Sequence, residues 1–328
     1  MKPIYIHSAV CISAQDSFEG GAMVKLKASE GKIAAKYPNY CDFISPAAAR
    51  RMAPAVKMGV TAATNALQEA EIQQPDAIIT GSGMGCMQDT EKFLNALLEN
   101  NEEYVTPTAF IQSTHNTVGG QIALGLQCNS YNNTYVHGSL SFESALLDAQ
   151  LMLQEGNATT VLVGGIDELG TEFVTYVDLK EKQDAHPKKV PIAEGAAFFV
   201  LSHQAKDKGV LLKDMQTYRL TSEDCIVAKM LQFLVKNQLS ASDIDVLFLG
   251  NTGDCYDAYY HGISNRFSAE IVRIPFKEFA GDFYTCIGFA LWWAFDILGN
   301  NKKDEKKHVL IYNQEKGQNH SFLLLSRT

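Results

Sequence analysis

Short, uniformly apolar runs alternate along this chain with stretches in which apolar residues recur every three or four positions. IYIHSAV (residues 4–10) predicts a first strand, and the helical spacing over 46–70 predicts a helix. DAIITGSGMG (76–85) predicts a second strand ending in a glycine-rich turn, with a further helix over 88–99. The most informative stretch is residues 134–168, TYVHGSLSFESALLDAQLMLQEGNATTVLVGGIDE. It predicts a strand, a tight turn at His137-Gly138-Ser139, a helix, and a buried strand containing Gly164-Gly165. AAFFVLS (196–202) continues the series. Apolar strands between helical segments imply an α/β protein whose sheet is largely buried.

A repeat sharpens this. VKMGVTAATNALQEAEIQQPDAIITGSGMG (56–85) resembles AKMLQFLVKNQLSASDIDVLFLGNTGD (228–254). Each has Lys-Met in a helix, a polar break, an Asp-led apolar strand and a glycine-containing turn. Similarity at that separation predicts two related halves. The polar connection SHQAKDKGVLLKD (202–214) places the division at 1–205 and 206–328.

Composition adds limits. The chain has 328 residues, 46% hydrophobic and 20% charged, with a net charge of −9, as expected of a globular protein able to bury a large core. No apolar run is long enough to span a bilayer and the first residues lack a signal-peptide pattern, so the expectation is a cytoplasmic protein without membrane insertion. The seven cysteines are scattered without CxxC, which predicts reduced thiols rather than disulfides or a zinc site. No metal and no cofactor are expected. An acidic balance without a basic stripe argues against nucleic acid, while a small Lys/Arg patch remains available for an acidic carrier protein.

The order of motifs resembles the β-ketoacyl synthases of the thiolase superfamily. GSGMG (81–85) is similar to their GSGxG loop, TPTAFIQSTHNTVGGQIALGL (106–126) to their dimer-interface segment, and AEGAAFFVLS (193–202) to their GEGAGxLVLE strand. The resemblance implies a thiolase-like fold, with duplicated βαβ halves in a five-layer αβαβα arrangement. It also implies an acyl-accepting cysteine at the turn and two histidines, where a helix N-terminus favours the thiolate.

All three positions are replaced here. Ser139 falls at the nucleophile, Gly250 at the histidine of the HGT motif, and Asp282 at the histidine of the KxxxGH motif, whose Lys277, Gly281 and Gly288 are kept. The C-terminal FGFGGTN loop is missing. A serine hydroxyl without a base stays protonated at neutral pH, and a bare carboxylate at 282 would repel a malonyl enolate. The resemblance therefore implies a chain-length-factor-type protein, non-condensing, that pairs with an active ketosynthase or with itself and handles chains on acyl carrier protein or acyl-CoA. Phe110 and His115 would then shape the acyl tunnel of the partner.

An alternative is a serine-dependent acyltransferase or hydrolase, with Ser139 as nucleophile, His137 or His115 as base and Asp282 as orienting carboxylate. A third is an active 3-oxoacyl-(acyl carrier protein) synthase with an unusual catalytic set. Cys255, Cys286 and Phe283 are expected at the pocket wall, and Trp292-Trp293 as packing residues facing two neighbours. The run 300–308 is expected as a solvated loop. The short 181–191 segment, in place of the family's longer cap, predicts a pocket less enclosed unless a partner covers it.

Overall fold

The computed structural model describes residues 2–27, 32–103, 106–206, 209–300 and 307–328. Its first half runs β1 (Tyr5–Ile12), β2 (Lys32–Ile33), α1 (Pro46–Ala49), α2 (Pro54–Ala70), β3 (Ala77–Gly81), α3 (Met87–Glu99), α4 (Pro107–Ser113) and α5 (Thr117–Leu126). It continues with β4 (Tyr131–Tyr135), α6 (Ser141–Glu155), β5 (Thr160–Asp167), α7 (Thr171–Glu181), β6 (Ile192–Ala193) and β7 (Gly195–Ser202). The second comprises β8 (Val210–Arg219), α8 (Glu223–Lys236), β9 (Val246–Leu249), α9 (Asp257–Ser264), β10 (Val272–Pro275), α10 (Lys277–Ala280), α11 (Ile287–Gly299), β11 (His308–Glu315) and β12 (Asn319–Arg327).

The main sheet has the order β10-β9-β11-β12-β8-β1-β7-β5-β3-β4, which is one five-strand pattern written twice. β3 lies parallel to β4 and β5, β5 antiparallel to β7, and β7 antiparallel to β1. In the same way β9 lies parallel to β10 and β11, β11 antiparallel to β12, and β12 antiparallel to β8. The two five-strand parts of this sheet, termed the first and second sheets in chain order, join edge to edge where β1 pairs with β8 at Tyr5 and Leu211.

Five layers follow from which faces are apolar. α2 and α5 cover the outside of the first sheet, with Val56, Ala63 and Ile122 packed on Ile78, Leu162 and Phe198. α8 and α9 cover the outside of the second, with Met230, Phe233 and Ile263 on Leu247, Leu310 and Phe322. Between the sheets, α6 and α11 share one core in which Phe142, Leu146, Ile287 and Leu291 meet Ile79, Val163, Phe248 and Ile311. Strands buried on both faces are why the sequence shows continuous apolar runs rather than alternation.

The helix expected over 46–70 is two helices, because 50–53 carry the chain out of α1 and Pro54 starts α2 afresh at its first turn. The 106–126 segment likewise forms α4 and α5. Trp292 and Trp293 both touch Phe289, but only Trp293 also meets Phe248 and Phe279, so the two rings are directed differently, as adjacent helix positions require. Most of the 300–308 run lies outside the described residues. No helix among the described residues is long and apolar enough to cross a membrane.

Three buried acids at the ends of β5 and β6 tie the loops around one end of the molecule. Asp167, fully buried, accepts from the backbone N–H groups of Gly83, Met84 and Thr285 at 2.8–2.9 Å, and from the hydroxyls of Ser82 and Thr285. Glu168 accepts from Ala55 N at the start of α2 and from Gln88 N at the start of α3, where helix dipoles favour a carboxylate. Glu194 accepts from Leu169 N and the Tyr37 hydroxyl. Replacing Asp167 by Ala strands the buried N–H groups of Met84 and Thr285 and the half-buried one of Gly83, so urea denaturation should show a loss of about 3 kcal/mol; a loss below about 1 kcal/mol would mean water or neighbouring groups replace the carboxylate.

Candidate functional site

The turn between β4 and α6 is an elbow held by its own hydroxyl. Gly138 adopts φ +57°, a left-handed conformation that suits glycine and that sends the chain from the strand directly into the helix. Ser141 Oγ donates to Gly138 O at 2.7 Å and accepts from His137 N at 2.9 Å. Ser139 is thereby fixed at the N-terminal end of α6, only 7% exposed, on the wall of a cavity of about 510 Å³. That size falls within the ordinary range for small-molecule sites.

The cavity lies between the halves. α7 supplies Phe173, Tyr176 and Val177, the β3–α3 turn supplies Met84, and the loop before α11 supplies Phe283 and Tyr284. Polar groups come from Thr252, Asp254, Lys277, Asp282, Asn313 and Glu315. α7 and 184–188 thus cover part of the mouth despite the short cap.

Ser139 Oγ donates to Glu315 Oε2 at 2.8 Å. Glu315 ends β11, so its carboxylate reaches the elbow from the other half. His137 does not share that bond. The left-handed turn at Gly138 breaks the extended alternation on which a shared face depended, and the exposed His137 ring instead bonds Ser144 Oγ through Nδ1 at 2.8 Å. His115 packs its half-buried ring against Gly85, outside the cavity lining, and burial lowers its pKa. Phe110 is 56% exposed on α4, where its ring meets Phe93.

Asp282 is not the bare charge expected at that position. Lys277 Nζ donates to it at 2.9 Å, and Lys188 pairs with its other oxygen. Burial alone would raise the Asp282 pKa, but Lys188 and then Lys277 outweigh it and hold the carboxyl well below the usual carboxylate range. Burial would lower Lys277, yet Asp282 together with the neighbouring Cys286 and Tyr260 outweighs that and keeps the ammonium charged. Backbone bonds set this geometry: Asp282 N donates to Pro191 O and Lys189 N to Thr252 O, which lays the 188–191 segment across the loop. Gly281, at φ +78°, has no room for a side chain against Ala193.

At the third replaced position the space is filled. A side chain on Gly250 would meet Asn313 Oδ1 at 2.4 Å, and Gly250 is outside the cavity lining. Cys255 is exposed at the rim, whereas Cys286 is buried and burial pushes its thiol up to about 12. Asp257 caps the N–H groups of Thr252 and Gly253, a turn-forming use of an acid. Of the lining residues only His186 is a histidine, and it is exposed at the mouth.

The chain belongs to the β-ketoacyl synthase family, since the family model described as β-ketoacyl synthase, N-terminal domain, matches residues 26–242. Among solved structures it is similar to the ishigamide ketosynthase/chain length factor, at 15% identity and TM-score 0.83 over 99% of each chain. It is similar as well to the AntDE:AntF complex, a type II polyketide acyl-carrier protein with its ketosynthase bound to the hexaketide, at 16% identity and TM-score 0.82 over 100% of both chains. A third likeness is to the ketosynthase ApeO in complex with its chain length factor ApeC from Xenorhabdus doucetiae, at 14% identity and TM-score 0.75 over 100% of this chain and 98% of that one. No curated protein matches the sequence.

Sequence reasoning missed Glu315, Lys188 and Glu143. The only local signal for Glu315 was the EKG turn between two apolar strands, and for Lys188 the Lys pair in AHPKKVP. Glu143, one turn beyond the elbow on α6, is fully buried; Oε1 accepts from Ser321 Oγ at 2.8 Å and Oε2 has no hydrogen-bond partner among the described residues. Burial pushes its pKa up to about 7, against the pull of Ser321 and Lys277. The folded state therefore holds a proton that the unfolded state releases near pH 4.5, so this group's contribution falls as pH rises from there through about 7. Glu143→Gln should remove a pH-dependent loss on the order of 3 kcal/mol between pH 5 and 8. Chemical denaturation across that range checks it; an unchanged slope would mean that Glu143 ionises freely in the folded protein.

Proposed function

We propose that this chain is the non-condensing, chain-length-factor-like subunit of a ketosynthase pair in fatty-acid, polyketide or aryl-polyene-type biosynthesis. In this reading residues 1–205 and 206–328 are its two thiolase-like halves. Its cavity borders the route of an acyl chain carried on acyl carrier protein or coenzyme A. The observation that carries this reading is that, among the described residues, the lining around Ser139 has a single histidine, His186, which is exposed at the mouth. Condensation needs a nucleophile that is readily deprotonated and donors for a developing oxyanion. Here the elbow carries a hydroxyl in place of a thiol, and the two positions for histidine carry Gly250, beside Asn313, and Asp282, between two lysines.

The edge of the first sheet supports pairing. β4 ends the sheet with one side unpaired, and apolar residues flank it on both faces. Leu124 of α5 is 70% exposed, Leu147 and Leu151 of α6 are 43% and 49% exposed, and Val136 follows the strand. An unpaired edge with leucines on either side is a ready surface for another chain's edge. One of the similar solved structures named above is a ketosynthase in complex with its chain length factor.

A second reading, acyl transfer through Ser139, is favoured by the Ser139–Glu315 bond, because Glu315 is placed to take the hydroxyl proton. Its test is intact-mass measurement after exposure to acyl carrier protein and acyl-CoA donors. An adduct in the native protein but not in Ser139→Ala would establish the nucleophile and overturn the non-condensing reading. For the leading reading, co-expression with a ketosynthase from the same gene neighbourhood should yield a stable heterodimer. The exposed-site change Leu147→Asp with Leu151→Asp should weaken it at least about tenfold, or over 1.4 kcal/mol, with little effect on monomer melting. A complex indifferent to both changes would place the interface elsewhere.

A further inference from the structure

Glu315 is a cavity-wall carboxylate held by neutral donors alone. Ser139 Oγ donates to Oε2 at 2.8 Å and Asn319 Nδ2 donates to the same oxygen at 3.4 Å. No ion pair involves Glu315 among the described residues. The lysines of the cavity do not neutralise it: Lys188 and Lys277 are both bound to Asp282, and Lys180 and Lys316 are exposed at the rim.

The carboxylate is also fixed in place. It sits at the end of the β11–β12 hairpin, where Lys316 and Gly317 turn with φ +49° and +61° and Glu315 pairs with Asn319. Gly317 N donates to Gln314 Oε1 at 2.7 Å, Gln314 N donates to the Tyr260 hydroxyl at 3.1 Å, and the Tyr259 ring lies where a side chain on Gly317 would go. A side-chain atom added to Gly138 would stand 4.0 Å from Glu315 Oε2, so the charge faces the elbow backbone at contact distance. Oε1 has no hydrogen-bond partner on the protein among the described residues and is left to solvent or a ligand.

We propose that Glu315 determines which ligands the cavity accepts, favouring acyl groups whose elbow-proximal end carries an N–H donor or ammonium and rejecting those ending in a carboxylate. This rests on the acyl-binding role proposed above. In a partly desolvated site an opposite charge at about 4 Å attracts and a like charge repels far more strongly than in water. A fixed wall carboxylate therefore discriminates by repulsion as well as attraction.

The test uses three pantetheine amides of equal chain length, carrying butyryl, 4-aminobutyryl and succinyl groups, titrated calorimetrically into the full-length protein. The amide link prevents transfer and cyclisation, so only binding is measured. Expected is 4-aminobutyryl at least about tenfold tighter than succinyl, with butyryl between, and a spread of under about threefold in Glu315→Gln. Succinyl binding as tightly as 4-aminobutyryl, or a ranking that survives Glu315→Gln, overturns the proposal. If that variant fails to fold, Ser139→Ala serves instead: removing the hydroxyl that shares the carboxylate should widen the preference for the amine, and an unchanged ratio overturns the proposal. Binding of none of the three removes the acyl-cavity reading and this proposal with it, whereas heterodimer formation is measured independently and stands or falls on its own.

Discussion

The buried carboxylate of Asp167 is the contact on which the functional end of the molecule depends. A charge in a dry interior is tolerable only when its lone pairs are occupied, and five donors occupy these. Three come from the loop after β3 and two from Thr285, two residues before α11. Because one anion satisfies backbone groups from both halves, the first-half loop, the start of α11 and the 282–284 wall of the cavity take their positions together. Glu168 and Glu194 extend the arrangement to α2, α3 and the 35–37 segment.

The cavity is rewired rather than eroded. Each of the three positions that the family resemblance singles out has a partner suited to its residue: Glu315 for the Ser139 hydroxyl, the Asn313 amide for the space beside Gly250, and two lysines for Asp282. Simple loss of function would leave gaps or unpaired charges, and both are costly in a packed interior. The unpaired oxygen of Glu143 is the exception. It sits beside this network without hydrogen-bonding to Lys277, and burial shifts its ionisation toward neutrality instead.

The duplication and the elbow were legible in the chain because each leaves a local trace, whereas the five layers were expected only from the family resemblance. Buried strands appear as apolar runs, α6 as a helical spacing, and the turn at 137–139 as a glycine between them. The break before Pro54 was visible as a proline yet was overridden by continuous helical spacing on either side. The residues at the three positions that the family resemblance singles out, Ser139, Gly250 and Asp282, could be read from the chain as well, since a motif either carries a cysteine or histidine at a position or does not.

Their partners were not legible. Ser139 and Glu315 are 176 positions apart, and Lys188 and Asp282 are 94 apart. Neither pair has a spacing that periodicity could detect. The same limit explains why His137 looked like a base beside Ser139: alternation assumes an extended backbone, and one left-handed glycine redirects the next side chain. The sequence alone determined the elements and their repetition, because these depend on residues near one another in the chain. Only the tertiary structure decided which charges face the elbow and which neutralise each other, because folding two halves against one another creates those neighbours.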